Sequence, residues 1–129
     1  MPPSLERIVW MPSPPLVPDA APVETTIDLV HLGRMTLGDA TVEREVLAMF
    51  AAQAADLTDR LAGLPADAAV LVHTLKGSAR AIGAFRVGDA AADLEHALRE
   101  RRTTALPILA LRDAVAEARS AIDAILKRS

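Results

Sequence analysis

Cysteine and tyrosine are absent from this 129-residue chain, and aromatic residues make up only 2% of it. Without cysteine there is no disulfide framework and no thiolate metal site, which is compatible with a reducing cytoplasm. With so few aromatics, the 51% of hydrophobic residues must build a core from alanine and aliphatic side chains. Closely packed helices suit that inventory, whereas sheets favour aromatic and β-branched residues. Basic runs and basic residues interleaved with aromatics are also missing, and the net charge is -3, so nucleic acid is not expected as a partner. No apolar stretch approaches the length of a membrane span, and the opening MPPSLERIVWMPSPP lacks the basic-then-apolar order of a secretion signal. The expectation is a soluble, cytoplasmic protein without membrane contact, long enough for a single core.

Proline is unevenly spread, with seven of nine between Pro2 and Pro22. This predicts a Pro-rich arm over residues 1–26, extended or partly ordered, followed by a helical domain over 27–129. Within the arm, Ile8-Val9-Trp10-Met11 is apolar for a free tail, and packing against the domain is expected to order it in part.

Five helical patterns follow the arm. A short one near Asp28 to Met35 carries Leu29 and Leu32. The next, about Thr41 to Leu61, sets Val46, Phe50, Leu57 and Leu61 on one stripe, with Asp39 or Thr41 available as a cap and Gly63 to close it. A third spans about Leu64 to Ala84, with Pro65 in its first turn. The fourth runs to about Arg101 along Val87, Ala91, Leu94 and Leu98. The fifth opens near Thr104 and Pro107 and repeats Ile108, Leu111, Val115, Ala118, Ile122 and Ile125. Short connections between long amphipathic helices predict an all-α fold: an antiparallel four-helix bundle with an additional short N-terminal helix.

The most telling segment is His73-Thr74-Leu75-Lys76-Gly77-Ser78, with Gly83-Ala84 after it. On the helical period, Leu64, Ala68, Leu71, Leu75, Ser78, Ala79 and Ile82 form an apolar or small stripe for the core. His73, Lys76, Gly77, Arg80 and Ala84 fall opposite, with Ala66, Ala69 and Val70 pointing broadly the same way. An imidazole flanked one turn on by a cation and a glycine reads as a docking face. A neutral imidazole nitrogen is already a nucleophile near neutral pH, since histidine titrates at about 6.5. Phosphoryl transfer asks the protein mainly for positioning and charge compensation. Lys76, and Arg80 from the next turn, are placed to compensate phosphate charge. Gly77 costs the helix roughly 0.8 to 1.0 kcal/mol relative to alanine, and the return is clearance for another backbone. Val70, Ala69, Ala66 and Ala84 then supply the apolar part of the interface.

The run HTLKGSARAIGA resembles the signature of histidine-containing phosphotransfer (HPt) domains, and the resemblance covers roughly Ile27 to Arg128. It implies that His73 is the phospho-acceptor, Lys76 the neighbouring lysine, Gly77 the clearance glycine and Gly83 the glycine near the helix end. Glu95 matches a position on the following helix that places a polar side chain beside the imidazole. Ala92 stands where relatives in chemotaxis kinases carry a second histidine, which leaves Glu95 as the candidate to orient the ring. The resemblance further implies a phosphorelay intermediate that takes a phosphoryl group from one receiver-domain aspartate and passes it to another. Its partners would be receiver domains of response regulators or of hybrid sensor histidine kinases. No cofactor is expected on this chain, because Mg²⁺ belongs to the receiver. The sequence has no Gly-rich phosphate loop, so the chain reads as a monomeric carrier and not as a kinase. The competing reading is a phosphorylation-independent helical adaptor that binds or sequesters a receiver domain or kinase.

His31 and His96 lack the Lys-Gly context and are read as structural or solvated. His96 adjoins Glu95, but neighbouring residues on a helix do not share a face, so no metal site is expected.

Overall fold

The computed structural model describes residues 26–128, all of whose long elements are helices: α1 Leu29–Met35, α2 Ala40–Ala62, α3 Ala68–Ile82, α4 Phe85–Arg99 and α5 Ala105–Arg128. The arm predicted over residues 1–26 and its Ile8-Val9-Trp10-Met11 patch lie outside the described residues, Thr26 apart. Helices α2 to α5 form the predicted antiparallel four-helix bundle, in which α3 and α4 pack side by side and α2 and α5 close the ring. The short α1 lies against α3.

The core is aliphatic and alanine-rich, as composition requires. Leu47, Leu61, Val72, Leu75, Leu94, Leu111 and Ile122 are buried, and Ala54, Ala79, Ala91 and Ala118 let the helices approach closely between them. Val72 is fully buried although the predicted stripe omits it, because α3 is flanked by both α2 and α4 and presents a broad inner face.

Local chemistry sets the helix ends. Asp28 and Asp39 cap α1 and α2, their side chains accepting from the backbone N–H of His31 at 2.9 Å and Val42 at 3.0 Å. The third helix begins at Ala68, not Leu64. Leu64 is in the left-handed region at φ 49 and 44% exposed, so it leaves the predicted core stripe. Pro65 explains this, since the residue before a proline is disfavoured in helical backbone. Pro65 precedes the helix, its carbonyl accepting from Ala68 N–H at 3.0 Å. The fourth helix similarly stops at Arg99, ahead of Arg101 in the left-handed region at φ 58.

Gly83, at φ 91, ends α3. Its N–H donates to the carbonyl of Arg80 and that of Ala84 to the carbonyl of Ala79, the paired closure typical of a left-handed glycine. The reversed chain turns Ala84 into the core with no exposed surface. Asp28 N–H donates to the Gly83 carbonyl at 2.9 Å, which ties the start of α1 to the end of α3. A Cβ on Gly83 would lie 2.8 Å from the Asp28 carbonyl oxygen. Gly83→Ala should therefore destabilise the domain by about 2 kcal/mol or more, lowering the melting temperature by roughly 10 °C. A thermal melt followed by circular dichroism tests this, and an unchanged midpoint would contradict it.

Candidate functional site

The His73 side chain stands on the outer face of α3 and is 69% exposed. Its Nδ1 lies 2.9 Å from Glu95 Oε2, and Lys76 Nζ lies 2.5 Å from the other oxygen, Oε1. Glu95 reaches across from α4, and its side chain is only 15% exposed. Lys76 is 20% exposed, so its stem packs between the two helices while its ammonium meets the carboxylate. Arg99 Nη2, one turn beyond Glu95, is 3.9 Å from Oε1. The carboxylate thus faces His73, Lys76 and Arg99 together; its pairing with Arg99 is the longest of the three.

These donors hold the Glu95 carboxyl down to about 2, first through the Lys76 hydrogen bond and then through His73. An ionised carboxylate only accepts hydrogen bonds. The proton between Glu95 and His73 therefore sits on Nδ1, and a neutral ring keeps its lone pair on Nε2.

A folded-state value below the ordinary one means that Glu95 contributes stability above the usual carboxylate range and loses it as pH falls through the folded value. The difference in melting temperature between the wild type and Glu95→Gln at neutral pH should thus close between pH 4.5 and about 2. Melts across that window read it directly; a difference that persists at pH 2 would show that the charge is not its source.

The other predicted site residues divide. Gly77 faces open space, for a Cβ built there meets no atom within 4 Å. Val70, at 65% exposure, and Ala69 are on the same side of α3. Ala66 is exposed but sits in the turn before the helix. Ala84 is a correction: the helical wheel carried it onto the His73 face, but Gly83 breaks the helix first and Ala84 is buried. Arg80 is not joined to the His73, Lys76 and Glu95 group. Its stem crosses Gly88 of α4, where a Cβ would come within 2.8 Å of Arg80 Cγ, and its guanidinium is 3.9 Å from Asp89. Sequence reasoning missed this restraint, which takes a glycine and a carboxylate from a different helix.

It also missed the α2 side of the site, where Val46 and Met49 flank Ser78 and Ala81 of α3 in an apolar cleft. Val46 belongs to the predicted stripe but is only half-buried, and the available signal for the cleft was Val42 and Met49, which flank it at helical spacing. His31 is structural: its Nε2–H donates to the Ala81 carbonyl at 3.0 Å and its ring meets Phe85 edge-on at 5.3 Å. Among the described residues, no three His, Cys, Asp or Glu side chains are grouped to hold a metal ion. No described helix is long and apolar enough to cross a membrane.

The family model for the Hpt domain matches residues 45–125, from the first turns of α2 almost to the end of α5. No curated protein and no solved structure matches the chain. The matched span is well over half of the sequence and takes in the helix that carries His73 and the helix that carries Glu95; the chain belongs to the Hpt domain family, whose members are the histidine phosphocarrier modules of phosphorelays.

Proposed function

We propose that His73 is the phospho-acceptor and that its Nε2 exchanges a phosphoryl group with the aspartates of receiver domains in the cytoplasm. The observation that carries this reading is the 2.9 Å contact of Nδ1 with an ionised Glu95 on a ring left open to solvent. In the forward step the Nε2 lone pair attacks the phosphorus of an aspartyl phosphate. The N–P bond forms as the P–O bond to the aspartate breaks, and the aspartate leaves as a carboxylate. No proton has to move, because Nδ1 already holds it. The phosphorylated ring then carries a positive charge that the Glu95 carboxylate compensates across the hydrogen bond. The reverse step returns the lone pair to Nε2.

Lys76 holds the second Glu95 oxygen and so fixes the carboxylate that orients the ring. An ammonium has three donors, which leaves two for phosphoryl oxygens. Gly77, Val70 and Ala69 form the surface over which a receiver approaches. The chain carries the group without making it, and Mg²⁺ is supplied by the receiver.

The test is incubation with receiver domains bearing labelled aspartyl phosphate. Label that moves to this chain and proves acid-labile and base-stable supports the reading. Tight binding of receivers without any label would replace it with the adaptor reading.

A further inference from the structure

The cleft beside the His73 face is walled by Val46, Met49 and Phe50 of α2 and by Ser78, Ala81 and Ile82 of α3, and encloses about 360 Å³. Apart from Ser78, and from Gln53 that lines its α2 end, these residues are apolar, and Met49 is 71% exposed. An uncovered apolar cleft of this kind favours an apolar occupant.

The chain itself arrives at this place. Ile27 is fully buried, and Asp28 is bonded to Gly83, the residue that follows Ile82 of the cleft wall. Residues 1–25 therefore join the bundle at one end of the cleft. Their longest uninterrupted apolar run is Ile8-Val9-Trp10-Met11, with Pro12 after it. Fourteen residues lie between Met11 and Thr26, a reach of up to about 50 Å. From Val46 to Gln53 the cleft follows only two turns of α2, about 10 Å. A tethered segment meets its site at an effective concentration in the millimolar range. An intrinsic affinity of only about 1 mM is then enough for half occupancy.

We propose that Ile8-Val9-Trp10-Met11 docks in cis in the α2–α3 cleft, against Met49 and Ala81. A receiver that spreads from Gly77 across Ala81 onto α2 must displace the segment, so the arm is a built-in competitor for the docking face. Only this consequence rests on the reading of His73 as the docking centre; occupancy of the cleft does not.

Trp10 is the sole tryptophan and there is no tyrosine, so the intrinsic fluorescence of the full chain reports this segment alone. The expected result is emission to the blue of a peptide of residues 1–26, with weaker quenching by acrylamide. Met49→Glu and Ala81→Glu, both at exposed cleft positions, should return emission and quenching to the peptide values while helical circular dichroism is unchanged. A wild-type chain that already matches the peptide overturns the proposal, as does a blue shift that survives both substitutions. A blue shift that disappears on dilution assigns the cleft to the arm of a second copy and overturns docking in cis. A chain unable to accept a phosphoryl group would still give the expected spectra, so this outcome and that of the labelling experiment are independent.

Discussion

His73→Gln should carry no phosphoryl label above background after incubation with a phosphorylated receiver, whereas His96→Gln and folded His31→Gln should be labelled like the wild type. The chain has three histidines, and their hydrogen bonds differ in which nitrogen keeps the lone pair and whether that lone pair is already occupied. His73 gives its Nδ1 proton to a carboxylate and presents Nε2 to solvent. His96 Nδ1 faces the Arg99 guanidinium at 3.1 Å, and because arginine only donates, that lone pair is occupied. His31 gives its Nε2 proton to the Ala81 carbonyl and is packed against Phe85. Glutamine keeps the size and polarity of a surface side chain but has no nucleophilic ring nitrogen. Loss of label in His73→Gln with unchanged helicity would isolate the chemistry from the fold. Persisting label would mean that another residue accepts the group, and the assignment of Nε2 would fall with it.

Gly77→Leu should remain folded and yet lose transfer, with binding to the receiver weakened in calorimetry. Nothing stands within 4 Å of a Cβ at this position, so a leucine would project into solvent and not into the core. A helix former there should cost no stability; Gly77→Ala should even add up to about 1 kcal/mol. A buried packing glycine would behave differently, because added bulk overpacks a core and destabilises by about 1 to 3 kcal/mol. The leucine instead occupies space one turn from His73, where the proposed transfer would bring the receiver's aspartate to the imidazole. Gly83, six residues on in the same segment, gives the opposite contrast: its left-handed backbone and the nearby Asp28 carbonyl make alanine costly to the fold. Normal transfer by a folded Gly77→Leu protein would show that receivers do not approach over this face.

Much of the architecture was legible in the amino-acid order because it depends on local period. Apolar residues three and four apart mark each bundle helix, and the core lines Val87-Ala91-Leu94 and Leu111-Val115-Ala118-Ile122 are buried where the pattern puts them. The spacing of His73, Lys76 and Gly77 is local too, so their shared side of one helix follows from 3.6 residues per turn. Capping by Asp39, one of the two candidates with Thr41, is likewise short-range backbone chemistry.

Tertiary packing decided what the helical period does not encode. Glu95 lies 22 residues from His73 in sequence, and only the contact of α3 with α4 brings its carboxylate to Nδ1 and leaves Nε2 open. The same contact draws Arg80 across Gly88 toward Asp89 and away from the imidazole. Ala84 shows where the helical wheel fails: periodicity assumes that the helix continues, and the left-handed turn at Gly83 sends the next residue into the core. The cleft between α2 and α3 also exists only once two helices are docked, since neither surface row encloses anything by itself. The residue types and their spacing along each helix thus determined the bundle and the candidate nucleophile. Which His73 nitrogen meets Glu95, which of Lys76 and Arg80 joins that carboxylate and which surface of α2 lies alongside were settled by helix–helix geometry, because those relations join residues that the chain keeps far apart.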